Sequence, residues 1–128
     1  MNVLLDTHTF LWFVRDDLQL SNTARELIEE RETRPFLSMA SLWEIAIKMS
    51  LGKLQFTQPY EEFIPIQLAL NGIEMLDITT EHTAAVARLP FHHRDPFDRL
   101  LVIQAKAEEM TLVSANPAFD LYDVKRVW

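Results

Sequence analysis

Short apolar runs that alternate with helical patterns constrain this chain most. Val3-Leu4-Leu5 within residues 2–5, Pro35-Phe36-Leu37-Ser38, Ile73 to Ile78, Thr111 to Ser114 and Val124 to Val127 each read as a short strand. The segments between them repeat apolar residues at helical spacing. Phe10, Leu11, Phe13 and Val14 follow a cap at Thr7 or Thr9, with Trp12 packing in the core, and Asp16-Asp17 makes a turn. Ala24, Leu27 and Ile28 mark a helix from the cap Ser21 through Glu32. Leu42, Ile45, Ala46 and Met49 mark another from about Ala40 to Ser50, widened by Trp43 and Ile47 and stopped at Gly52. Pro59 starts a helix through Leu70 that Pro65 is expected to kink or divide. Thr79-Thr80 begins one to about Leu89, and Asp95-Pro96 opens one from Phe97 to about Glu109. Strands alternating with helices, unbroken by repeat or linker, indicate βαβ units and a parallel sheet in one domain over residues 1–128. Sites in such sheets form beyond the carboxyl ends of the strands.

Composition narrows the chemistry. With no cysteine, a disulfide framework, thiolate zinc and a thiol nucleophile are excluded. Two glycines leave no room for a glycine-rich phosphate loop. No apolar run approaches the roughly 20 residues that span a bilayer, and no signal peptide is visible, so a cytoplasmic location is expected. The net charge of −7 argues against a module that reads DNA through phosphate contacts. It argues less against a nuclease whose acids are neutralised by cations, and it suits a basic protein partner.

The acids carry the chemistry, and each also has a structural reading. Asp6 directly follows a strand, as a helix cap or turn acid would, or as a metal ligand at the strand end. Ser41-x-x-Glu44 fits a capping box, yet Glu44 interrupts an apolar face where an unpaired charge is costly. Asp95 before Pro96 has the form of an N-cap, and Asp98 in the first turn favours the helix dipole. Asp98 also begins an apolar face of Leu101, Val102 and Ala105 that must pack on the sheet, which directs its carboxylate toward the strand ends. Asp98 is therefore the expected ligand, with Asp95 as cap or accessory acid. Asn116-Pro117 repeats the cap-then-proline form. His92-His93 is a poor zinc site, since adjacent histidines rarely face one metal, and His8 orients a site acid or belongs to a loop or cap. Arg94 and Arg99 flank the acids, available to a phosphate or to nearby carboxylates. Clustered carboxylates without thiols suit magnesium or manganese, and phosphodiester hydrolysis is the reaction that follows most directly.

The residues then resemble a family. Leu5-Asp6-Thr7-His8-Thr9-Phe10-Leu11-Trp12, Ser41-Leu42-Trp43-Glu44-Ile45 with Gly52-Lys53-Leu54, His93-Arg94-Asp95-Pro96-Phe97-Asp98-Arg99-Leu100-Leu101 with Gln104-Ala105, and Leu112-Val113-Ser114-Ala115-Asn116 occur in the order and spacing of PIN-domain ribonucleases. The chain is similar in particular to the VapC-type toxins of bacterial toxin–antitoxin pairs. That resemblance implies a three-layer α/β/α sandwich around a parallel sheet. It implies an endoribonuclease that uses magnesium or manganese held by Asp6, Glu44 and Asp98, with Asp95 nearby. It further implies a homodimer and a cognate antitoxin that silences it. One departure stands out: the family often has a fourth aspartate where this chain has Asn116. Asparagine orients water but supplies no charge, so one strong metal site is expected and a second is doubtful. Asp120 lies four residues on as a conceivable substitute. Two other readings differ in class: a non-catalytic protein on the same fold, and a phosphohydrolase with Asp6 as nucleophile.

Overall fold

The computed structural model describes all 128 residues. Five strands form one sheet in the order β3-β2-β1-β4-β5, and every neighbouring pair is parallel. They are β1 (Asn2–Leu5), β2 (Arg34–Ser38), β3 (Glu74–Leu76), β4 (Thr111–Val113) and β5 (Arg126–Val127). Six helices connect them: α1 (Thr7–Val14), α2 (Asn22–Glu29), α3 (Met39–Ser50), α4 (Tyr60–Leu70), α5 (Thr80–Arg88) and α6 (Pro96–Ala107). A short 3-10 turn, Pro117–Leu121, lies between β4 and β5.

Side-chain alternation along the strands divides the core into two. Val3, Leu5, Leu37 and Val113 point to one face and pack with Phe10, Leu11, Ala24, Ile28, Ile45 and Ile64 from α1, α2, α3 and α4. Leu4 and Leu112 point to the other, against Leu101, Val102 and Ala105 of α6, with Ala85 and Val86 of α5 at the margin. Val3, Leu4, Leu5, Leu112 and Val113 have no exposed surface, as expected of strands covered on both faces. The result is the three-layer α/β/α sandwich.

The strand order sets the position of the site. From β1 the chain moves outward through β2 to β3, then returns to place β4 on the opposite side of β1. The order therefore reverses between β1 and β4, and a crevice opens beyond their carboxyl ends.

Several local expectations change in the structure. Asp6 caps α1 by accepting from Thr9 N at 2.7 Å, so neither Thr7 nor Thr9 is the cap. The helix begun at Ser21 ends at Glu29 rather than Glu32. β3 keeps only Glu74–Leu76 of the expected run, because no strand lies beyond it to pair with a longer edge. Pro65 does not divide α4; the carbonyl it leaves unbonded belongs to Glu61 in the exposed first turn, where water can serve it. Gly52, at φ 72°, ends α3 through bonds from Gly52 N to Met49 O and from Lys53 N to Lys48 O, a Schellman closure. Trp43 leaves the apolar stripe of α3 and is 65% exposed.

Candidate active site

The crevice beyond β1 and β4 is a cleft of about 230 Å³ lined by Asp6, Thr7, His8, Glu44, His93, Asp95, Asp98 and Asn116, with no apolar residue among them. Four separate parts of the chain supply these groups, and local structure explains the aim of each.

Asp6 follows the last residue of β1 and is only 8% exposed. Its Oδ1 accepts from Thr9 N, and its Oδ2 accepts from the Ser114 hydroxyl just past β4. The cap role and a place in the cleft coexist, because a carboxylate offers more acceptor positions than a cap uses. Ser114 Oγ also accepts from Asn116 N at 3.0 Å, so the β1 and β4 ends are joined through one hydroxyl.

Glu44 lies inside α3. The cap of that helix is Ser38, accepting from Ala40 N at 3.1 Å, so the Ser41–Glu44 capping box does not form. Instead Glu44 Oε1 accepts from the Thr7 hydroxyl at 2.5 Å, and Glu44 Oε2 meets Lys48 Nζ at 3.2 Å one turn on. These contacts answer the cost of placing a carboxylate on a mostly apolar face.

Asp95 caps α6, its Oδ1 accepting from Phe97 N at 2.8 Å and Asp98 N at 3.2 Å. Asp98 stands in the first turn, and its Oδ2 lies 2.9 Å from His93 Nε2. Burial pushes the Asp98 carboxyl up to about 6, assisted by the charges of Asp95 and Asp6, while the hydrogen bond to His93 acts in the other direction. Donor atoms of His93, Asp95 and Asp98 lie within 4.8 Å of one another, close enough to share an ion.

Asn116 lines the cleft, but its Oδ1 is occupied in capping the 3-10 turn at Ala118 N, 3.0 Å away. Asp120 does not take the place of a fourth acid. It is exposed and forms a paired contact with Arg126 at 2.9 and 2.8 Å, which holds its carboxyl below the usual range.

The two arginines stand apart from the cleft. Arg94 is exposed and does not line it. Arg99 is 5% exposed, and its guanidinium donates to the carbonyls of Pro90 at 2.9 Å and Leu89 at 3.0 Å, with Tyr122 Oη 3.3 Å away. It also lies over the Phe91 ring, so Arg99 organises the loop before α6. Nothing in its spacing from the acids distinguished that role.

His93 belongs to the cleft through Asp98, whereas His92 turns away and packs edge-on against Tyr122. Adjacent residues face opposite ways, which is why the pair was a poor zinc motif and why one of them still reaches the site. From the sequence, Thr7 is expected only as a helix cap, and Ser114 and Lys48 have no expected role of their own in the site. Lys48 had a readable signal, since it follows Glu44 at the i, i+4 spacing of helical ion pairs; the hydroxyls had none.

The comparisons agree with this architecture. A stretch of 63 residues is 35% identical to Ribonuclease VapC16 of Mycobacterium tuberculosis, covering 49% of this chain and 45% of that protein. The chain thus matches about half the length of that curated relative. Three solved complexes resemble it over 99% of its length at 18% identity, a level that speaks to fold. VapBC2 of Rickettsia felis, bound to a DNA fragment from the promoter, superposes with a TM-score of 0.75 over 98% of that chain. VapBC-1 of nontypeable Haemophilus influenzae gives 0.66 over 97%, and DNA-bound VapBC of Salmonella typhimurium gives 0.58 over 97%. The PIN domain family model matches residues 3–125, nearly the whole sequence, and this chain belongs to the PIN domain family.

Proposed function

We propose that this protein is a metal-dependent endoribonuclease, the toxin of a toxin–antitoxin pair. The observation that carries this reading is the convergence of Asp6, Glu44, Asp95 and Asp98 in one polar cleft at the sheet's switch point. The ribonuclease relative and the complexes of similar fold support it.

The donor set fits a hard divalent cation. It offers carboxylate oxygens and no thiolate, and a cation would offset the burial and mutual repulsion that raise the Asp98 carboxyl. Asp6, Glu44 and Asp98 would hold magnesium or manganese, with Asp95, whose donor atoms lie near those of Asp98 and His93, as an accessory acid. When bound, such an ion supplies Lewis acidity toward a phosphodiester oxygen and toward water. The chain's own residues set the geometry. Thr9 N and Ser114 fix both oxygens of Asp6, Thr7 and Lys48 fix both of Glu44, and His93 Nε2 fixes one of Asp98. Fixed ligands lose little freedom on binding an ion or a phosphate, which favours a pre-organised site. Asn116 contributes no charge, and with its Oδ1 engaged it supports one strong cation site.

Purified protein, freed of any antitoxin, tests the reading on total cellular RNA with magnesium, with manganese and with chelator. Discrete metal-dependent fragments, absent from a folded Asp6→Ala control, are the expected result. Cleavage that is unchanged in that control sinks the assignment.

The partner readings follow from the same family. An antitoxin is supported by the VapBC complexes, and the charge of −7 favours one with a basic segment. A homodimer is supported by an apolar groove of about 380 Å³ between α3, α5 and α6, where Trp43 and Phe97 meet edge-on beside the exposed Ile78. No helix is long and apolar enough to cross a membrane.

A further inference from the structure

We infer that a second cavity beside the cleft holds the RNA nucleotide adjacent to the scissile phosphate, with Lys48 and Lys53 on its phosphate and Trp12 against its base. This inference deepens the nuclease reading and rests on it. The cavity has a volume of about 320 Å³ and lies between α1 and the C-terminal end of α3. It shares His8 with the acidic cleft, so a strand leaving the acids across His8 enters it directly.

Its charge is the reverse of its neighbour's. Four carboxylates and no lysine or arginine line the cleft, whereas Arg15, Lys48 and Lys53 line the cavity against the single acid Asp17. In a chain of net charge −7 this is a local concentration of cations placed where a polyanion must approach an acidic site. The three cations differ in freedom. Arg15 donates to Gln55 O and lies 5.1 Å from the centre of the Phe56 ring, so it forms a fixed wall. Lys48 contacts Glu44 at 3.2 Å and stands at the boundary between the two spaces. Lys53, past the end of α3, is exposed and forms no ion pair. Trp12 completes the set. It is half-buried, anchored against Trp128 at 5.8 Å and His8 at 5.6 Å, and it lines the cavity. A positively lined groove beside an anchored aromatic is the pairing by which proteins hold single strands: the cations follow the backbone and the ring stacks a base. The same cations disfavour a basic protein tail in this cavity.

The test measures binding and cleavage of a short fluorescein-labelled single-stranded RNA by Lys53→Ala, Trp12→Ala and Trp12→Phe, with Lys106→Ala as a distant surface control. Lys53→Ala should weaken binding about threefold to tenfold and reduce the dependence of log affinity on log salt by about 0.7, one phosphate's share on a single strand. Trp12→Ala should weaken binding at least about fivefold, with Trp12→Phe restoring most of it. In cleavage, both losses should appear in KM with kcat nearly unchanged. Thermal unfolding accompanies each variant, and Lys53→Ala, an exposed change, carries the test if Trp12→Ala does not fold. Metal-dependent cleavage with unaltered KM in Lys53→Ala, and in Trp12→Ala where it folds, overturns the nucleotide site and leaves the nuclease standing. RNA binding that depends on Lys53 and Trp12 in a protein that never cleaves removes the nuclease and retains the site. Variants that lose binding of a basic peptide while holding RNA at wild-type affinity overturn the inference in favour of a protein tail.

Discussion

Asp98→Asn separates what the cleft does for function from what it does to stability. Burial raises the Asp98 carboxyl from 3.8 to about 6, so the folded protein holds its proton over a range where the unfolded chain has lost it. The sign follows from that. The stabilising effect of the protonated form is complete below 3.8, declines as pH rises, and is gone above about 6. At pH 7.5 the ionised carboxylate therefore costs roughly 3 kcal/mol relative to its protonated form, at 1.36 kcal/mol per unit. Asparagine has nearly the same shape, never ionises, and still offers Oδ1 to His93. In chelator, urea unfolding should show the variant gaining on the wild type as pH rises from 4 to 7.5, by up to roughly 3 kcal/mol. Because His93 lowers the carboxyl, the gain should be larger in a His93→Gln background. Magnesium at about 1,000 times its dissociation constant should reverse the order at pH 7.5, since it adds about 4.1 kcal/mol to the protein that binds it, more than the roughly 3 kcal/mol the ionised carboxylate costs. RNA cleavage by the variant should be lost throughout. A stability difference that does not change with pH, or a variant that weakens relative to wild type toward neutral pH, refutes the reasoning.

Three other outcomes follow. Arg99→Ala should destabilise the fold by about 2–4 kcal/mol, because the carbonyls of Pro90 and Leu89 lose their donor; Arg99→Lys should recover only part of this in urea unfolding. Asn116→Asp should add charge to the cleft and tighten manganese binding, read by calorimetry as a second or stronger site; identical binding would show that the position does not contribute to cation affinity. On the proposed homodimer, Trp43→Glu, at an indole 65% exposed in the single chain, should shift sedimentation toward the monomer; an unchanged sedimentation profile would count against that interface.

The aim of each acid follows from how it is held. Asp6 and Asp95 satisfy the helix-cap reading in full, and both also line the cleft. Capping is therefore part of how this site is built: using one oxygen on a backbone N–H fixes the carboxylate's direction. Glu44 reached the cleft for a reason its neighbours in sequence did not show, namely that Thr7 stands opposite it across the interface between α1 and α3.

Strand–helix alternation determined the parallel sheet, because apolar runs of a few residues between helical stripes can be buried only as strands covered on both faces. The local spacing around Asp6, Glu44, Asp95 and Asp98 determined which acids were available, and an acid after a strand or at a helix start is already close to the end of the sheet. Tertiary structure decided the rest. Strand order placed β4 beside β1 and brought Ser114 to Asp6 from 108 positions away. The same long-range packing sent Arg99 inward, turned His93 rather than His92 to the cleft, and paired Asp120 with Arg126. Those choices depend on which carbonyls, hydroxyls and charges face one another after the layers close, and the local pattern of a sequence carries no record of them.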